Sequence, residues 1–443
     1  MMLKAGVGSF DMSPQAGIEL AGYPHYPRHN TGVHDPLIAS CFYLEQGDAR
    51  VALVTLDILF FSKKYVQQAR QQIRERTGYH DMPVFICCSH THSGPWASGR
   101  LDLEALQMGA DVDADYVRFL VDGIADMVAD AASAPFVASI GTGFSRCGAE
   151  KGVGGNRRER GGLCDDTVSA LAVRDAGGEV RGILAHYTLH PTFIHEDSAL
   201  VTADYPGFIR AEMRRRHPNA VFGFAQGASG DQSSRYFRIG QSYDEAERVG
   251  LALASAAESA ISSMHFDADP ALDVLIGEVP FSLRTYGPLA QLRRNAEACV
   301  AEYGRLKATG ADYLTLQNAN LRMLGAEDLL GYATMLDQGM DIPLLRDEGP
   351  AEVVALRLGD ALIVGLPGEC FVAYQLRIKH AFEDGRVIVI ALANGCLPGY
   401  CYTEDALAEG GYEVDTSMLT PAFGAALTDC AIGLLSRLKG AGA

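Results

Sequence analysis

The sequence predicts an α/β (α+β) fold, a mixed β-sheet core flanked by helices. Three observations predict it. Short apolar runs alternate with helical patterns before about residue 230 and again after Pro350. Glycine, 48 of 443 residues, gathers at the ends of the apolar runs, where tight turns are needed. Between these parts, about 266–350 carries long helical patterns and few candidate catalytic residues, which marks a helical insertion or cap.

In chain order, 51–57 is an apolar run ending in an acid, and 64–76 is polar and helical. A short apolar strand follows at 84–88. Residues 114–132 repeat apolar side chains (Tyr116, Phe119, Leu120, Ile124, Met127, Val128) at the spacing of an amphipathic helix. Residues 136–141, 168–174 and 182–189 read as strands, and 219–224 as a strand entering a Gly-rich turn. Long helices are expected at 243–264, 289–307 and 314–336. The alternation resumes with strands at 353–358, 361–366 and 386–393, a helix at 370–382 between them, and a closing helix at 421–438.

Composition bounds the function. With 48% hydrophobic residues, the chain has ample length for a core, and 1–443 is expected to form a single catalytic domain. Fifty-five acids against 37 bases give a net charge of −18, which disfavours nucleic acid and anionic membranes. No apolar run approaches the roughly 18 residues a membrane span requires. No secretory pattern opens the sequence, so a cytoplasmic protein is expected. The ten cysteines include no C-x-x-C pair, so they read as reduced thiols and a cysteine zinc site is ruled out.

Candidate chemistry falls at strand ends. His90 and His92 follow the strand 84–88, and alternation in an extended segment would aim both into one cavity. His-x-His there suits a metal or an anion, and equally two surface histidines beside a Ser-Gly-Pro turn. His190 ends the strand 182–189. Pro191 argues against a helix through it, which leaves His186 a structural histidine. Asp57, Asp204 and His195 are looser candidates for a second metal. Glu369 follows the turn Pro367-Gly368 and is expected to open a helix, whose dipole would favour the ionised carboxylate. Arg157 lies in a Gly-rich loop that reads as solvated and basic. Ser233 lies in the Gly-rich turn after 219–224, and Tyr400 and Tyr412 lie in Gly-rich loops beyond the last strand.

Together these segments resemble the neutral/alkaline ceramidase family of zinc-dependent N-acyl amidohydrolases. Six motifs stand in the family's order: Gly6-Val7-Gly8 through Asp11; Asn156-Arg157; His190-Pro191-Thr192; Pro367-Gly368-Glu369; and Gly399-Tyr400 through Thr403 and Glu404. The sixth, Ser89-His90-Thr91-His92-Ser93-Gly94-Pro95, is the most specific. The resemblance implies a zinc held by His90, His190, Glu369 and Tyr400, with His92, Arg157 and Tyr412 around the substrate amide. Ser233 matches the family's proposed serine nucleophile and either attacks or positions the substrate. Ser234-Arg235 stands where the family pattern has Pro-Asn. The family's C-terminal immunoglobulin-like domain is not expected here.

The implied activity is a zinc-dependent hydrolase that cleaves an N-acyl amide with metal-activated water. The alternatives are a zinc esterase or lactonase on a small soluble metabolite, and a non-catalytic metal-binding scaffold. A small-molecule amide, ester or lactone is the expected partner. Survival of His92, Arg157 and Tyr412 beside the ligands favours an enzyme.

Overall fold

A computed structural model describes residues 2–23, 25–99, 112–382 and 386–440. Eight strands form one mixed sheet in the order Val221–Gln226, Val180–Tyr187, Thr167–Asp175, Phe136–Arg146, Lys4–Asp11, Ile38–Gln46, Ala49–Leu56 and Val84–Cys88. Its neighbours are antiparallel except for the outermost pair at each edge, which is parallel. The middle is thin, because Lys4–Asp11 meets Phe136–Arg146 only at Lys4 with Val137 and Ala5 with Phe136. There the sheet folds over on itself. The Ser40 hydroxyl donates to the Phe222 carbonyl at 2.7 Å, joining the two halves. A second sheet runs Leu272–Val279, Ala351–Leu358, Ala361–Gly365 and Val387–Ile390, again ending in a parallel pair.

The two halves and the second sheet turn their inner faces to one shared core. Phe42, Leu53 and Phe85 meet Leu171 and Leu184 there, together with Leu356, Ile363 and Ile388. Helices cover the outer faces. Lys63–Thr77 and Ala114–Ser133 cover one half, Tyr205–Arg216 and Tyr243–Ser262 the other, and Val372–His380 with Pro421–Gly440 the small sheet. A strand between core and helix is buried on both faces, so Val84–Cys88 is apolar at every position. Each fully buried Leu, Ile or Phe in these layers contributes roughly 1.5–3 kcal/mol.

The mixed sheet and helical flanks agree with expectation, with differences. One expected sheet is two. Strands Lys4–Asp11 and Ile38–Gln46 were not legible from periodicity. The segment expected to be helical from 266 opens with the strand Leu272–Val279, paired to Ala351–Leu358. That strand lies at the edge of its sheet and is partly exposed, so its apolar pattern is weak. Helices Leu289–Ala308, Tyr313–Asp337 and Pro343–Glu348 follow. The Asp312 side chain caps Tyr313–Asp337 by accepting the Thr315 N–H. Among the described residues, no helix is long and apolar enough to cross a membrane.

Candidate active site and metal centre

The three parallel pairs bring their carboxyl ends together. Ala391 N–H donates to the Gln226 carbonyl at 2.8 Å, and Cys88 N–H to the Leu392 carbonyl at 3.2 Å. The Asn394 side-chain oxygen accepts the Ile86 N–H at 2.7 Å. The loops beyond these ends open on one cavity, where parallel sheets place their ligands. Left-handed φ angles at His90 (71°), Leu392 (56°) and Asn394 (57°) cluster at this junction. Each such non-glycine residue costs on the order of 1–3 kcal/mol, so the surrounding packing holds it there.

His90 and His92 do share a cavity, but not through strand alternation. The left-handed turn at His90 sets the two rings perpendicular, with centroids 5.0 Å apart. His90 Nε2 lies 3.2 Å from His190 Nε2 and 3.1 Å from Glu369 Oε1. His190 Nε2 lies 3.0 Å from the same oxygen. Both histidines are fully buried. His90 Nδ1 faces the Leu59 carbonyl at 3.1 Å, and His190 Nδ1 faces the Ser229 carbonyl at 2.7 Å. Each Nδ1 therefore carries the proton and donates it, which leaves the Nε2 lone pairs pointing inward. Three acceptors then face one another and repel unless a cation sits among them. Tetrahedral ligands about 2.0–2.1 Å from zinc lie about 3.3 Å apart, close to this spacing. His92 brings a ring nitrogen within 4.8 Å of the other two imidazoles. Both His92 ring nitrogens are buried with no hydrogen-bond partner among the described residues.

Glu369 reaches the cluster by a different local structure from the one expected. The helix begins at Val372, so Glu369 precedes it. A bridge holds the segment instead: Cys401 N–H donates to the Glu369 carbonyl and Phe371 N–H to the Cys401 carbonyl. Gly368 is required before it, with φ of 63° and a Cβ position 2.5 Å from Leu397. Burial, then Arg157, lowers His190 to about 4. Burial, then His90 and His190, lowers His92 well below the ordinary imidazole value.

Arg157 is not in a solvated loop. The short strand Gly155–Asn156 pairs with Gln232–Ser233 and pins it. Its Nε donates to Glu413 at 2.8 Å, its Nη1 lies 3.5 Å from His190 Nε2, and its buried Nη2 has no hydrogen-bond partner among the described residues. The guanidinium lies over the Tyr400 ring, 5.4 Å from the centroid, and the Tyr412 ring follows at 6.2 Å. Burial, then Glu369, pushes the Tyr400 hydroxyl well above its ordinary value. Ser233 lines the same cavity, and its hydroxyl oxygen accepts the Arg235 N–H at 3.2 Å.

The cavity encloses about 290 Å³ and holds all eight expected residues but His190, which adjoins it through Glu369 and Arg157. Tyr313, Gln317, Asn320, Leu324, Asp328 and Tyr332 form one wall. Their three- and four-residue spacing makes one stripe of the helix Tyr313–Asp337. At 1.5 Å per residue, that stripe is about 28 Å long. Phe60, Tyr332 and Leu344 make its far end apolar.

The other expected residues lie outside the cluster, although His195 lines the same cavity. Asp57 pairs with Arg210, and Asp204 caps the helix Tyr205–Arg216, accepting the N–H groups of Phe193 and Ile194. His195 pairs with Glu196 at 2.9 Å. None joins the cluster. Sequence reasoning assigned no role to Glu413, although Gly410-Gly411 marks a turn just before it, and none to the wall of Tyr313–Asp337.

His186 is structural. It is buried, and its Nε2 donates to the Val389 carbonyl at 2.8 Å. Burial, then Lys379, lowers it to about 4. An unfolded histidine titrates near 6.5. The folded value is the lower one, so this stability is full above pH 6.5 and is lost as pH falls towards 4. The difference amounts to roughly 3 kcal/mol. Urea unfolding at pH 7 and pH 4.5 is expected to show a smaller stability loss in His186→Gln than in wild type. An equal loss in both would refute the assignment.

A buried pair of imidazoles with a carboxylate, at the carboxyl edges of a mixed α/β fold, defines the class: an α/β protein with a candidate hydrolytic metal centre. Residues 3–146 match the family model "Neutral/alkaline non-lysosomal ceramidase, N-terminal". A neutral ceramidase from Pseudomonas aeruginosa is 22% identical over 492 residues, covering 98% of this chain and 72% of that protein. One from Drosophila melanogaster is 24% identical over 236 residues, covering 50% of this chain and 33% of its own length. The crystal structure of the Pseudomonas neutral ceramidase superposes with a TM-score of 0.74 at 17% identity, covering 99% of this chain and 75% of its own. A ceramidase complexed with C2 gives 0.73, also at 17% identity, covering 99% of this chain and 76% of its own. The chain is thus similar to neutral ceramidases in its N-terminal third and in its overall fold, the resemblance its motifs indicated. These relatives support a hydrolase.

Proposed function

We propose that the protein is a zinc-dependent amidohydrolase acting on an N-acyl amide. One observation carries the reading: two inward Nε2 lone pairs and a carboxylate converge at 3.0–3.2 Å beside an arginine with an unpartnered Nη2. Two imidazoles and one carboxylate suit zinc, with His90, His190 and Glu369 as holders and Tyr400 beside them. Bound there, zinc supplies Lewis-acid polarisation of a carbonyl and acidification of water.

The chain's own residues supply the rest. Arg157 points a free N–H into the site and stabilises developing oxyanion charge, with the Tyr412 hydroxyl as second donor. His92, with no hydrogen-bond partner on either ring nitrogen among the described residues, takes a proton from the attacking water and gives it to the leaving amine. The Ser233 hydroxyl has no imidazole or carboxylate partner among the described residues, so Ser233 positions the substrate instead of attacking it. The apolar end of the wall, at Phe60, Tyr332 and Leu344, takes the acyl chain and excludes water there.

The test is fatty-acid release from N-dodecanoyl amides. Zinc-loaded protein is expected to release the acid, and chelator-treated protein to release none until zinc is restored. Ser233→Ala is expected to retain turnover within about tenfold. Equal turnover with and without chelator would refute the metal centre.

A further inference from the structure

One end of the cavity holds positive charge that the fold leaves unanswered. Arg235 lines the cavity, yet its guanidinium makes no hydrogen bond or ion pair with any described residue. Arg238 lies beside it and meets only neutral acceptors. Its Nη1 donates to the Thr192 carbonyl at 3.1 Å and to His195 Nε2 at 3.0 Å, and its Nη2 donates to the Tyr313 hydroxyl at 3.4 Å. His195 is fixed in that accepting state, because its Nδ1 donates to Glu196 at 2.9 Å.

Nearby acids are already engaged. Glu413 binds Arg157 and Arg158, Glu245 binds Arg248, and Glu196 binds His195. Two guanidinium groups therefore line the cavity with no carboxylate hydrogen-bonded to either among the described residues. Burial, then Arg157, lowers the affinity of Arg235 for its proton, the strain expected of a cation awaiting a counter-charge. The two arginines sit at the Tyr313 end of the wall, while Phe60, Tyr332 and Leu344 make the other end apolar. The cavity is thus bipolar along its length.

We propose that Arg235 and Arg238 form a carboxylate-binding subsite, so that the preferred substrate is an amide joining an apolar acyl chain to an amine that itself carries a carboxylate. This rests on the amidohydrolase reading above. Arginine suits the role because its planar fork matches a carboxylate.

The test compares N-dodecanoylglycine with N-dodecanoylethanolamine, which share the acyl chain and differ in the terminal carboxylate. The wild-type, zinc-loaded protein is expected to favour the glycine conjugate in kcat/KM by at least about tenfold, the scale of a charge-assisted hydrogen bond. In Arg235→Met the ratio is expected to fall towards one, with Arg235→Lys retaining part of it. Arg238→Met is expected to reduce the ratio as well. Calorimetry with the uncleavable dodecanesulfonyl conjugates of glycine and ethanolamine reads the same preference as affinity. If neither amide is cleaved, the amidohydrolase reading falls, and the sulfonyl pair still decides the subsite. A ratio near one in wild type, or a ratio unchanged in Arg235→Met, would overturn it.

Discussion

His90→Ala is expected to lower kcat/KM for amide hydrolysis by on the order of a thousandfold or more, about 4 kcal/mol of transition-state stabilisation. Metal content should fall with it. The reason is geometric. His90 Nε2 lies within 3.2 Å of both other inward donors and has no other partner there. Alanine removes a fully buried ring, so some loss of stability is also expected. Glu369→Gln separates the two effects, because it keeps the volume and removes only the charge. That variant should fold like wild type, bind metal poorly and lose comparable activity. Stoichiometric zinc together with full turnover in both variants would refute the ligand assignment.

Arg157→Met is expected to lower kcat by about 10²- to 10³-fold, the usual loss of one oxyanion donor, while zinc content stays at the wild-type level. Glu413 keeps Arg158 as a partner at 2.8 Å, so the variant does not strand a wholly unpaired buried carboxylate. Arg157→Lys should not restore the rate, because the compact ammonium lacks the planar fork that reaches both Glu413 and the cavity. The two losses therefore differ in kind: His90 and Glu369 variants lose the metal, and Arg157 variants keep it. Unchanged kcat in Arg157→Met would remove Arg157 from the chemistry.

Much of this site was legible because its residues follow apolar runs. His90, His190 and Glu369 each come within a few residues of a strand end, and parallel strands converge on such ends. The order of the motifs supplied Arg157, Tyr400 and Tyr412, which spacing alone left open. Local conformation was less legible. The left-handed turn at His90 and the bridge from Glu369 to Cys401 are imposed by distant segments, and no local pattern records them. The same holds for Arg157, whose loop reads as solvated until Gln232–Ser233 pairs with it. The fold shows a similar divide. Helices with a strong apolar stripe, such as Ala114–Ser133, were found within a residue or two. Ile38–Gln46 was missed because it is buried on nearly every position and shows no alternation. The folding of the large sheet depends on contacts across the core, such as Ser40 with Phe222, that are far apart in the chain.

Three parallel strand pairs are expected to assemble one zinc-dependent centre at their carboxyl ends. Anomalous diffraction at the zinc absorption edge, on crystals of the active protein, tests it most directly. A single strong peak is expected, bounded by His90 Nε2, His190 Nε2 and Glu369 Oε1 and absent in His90→Ala crystals. A catalytically active crystal with no peak among those atoms, or with its only peak elsewhere, would contradict it.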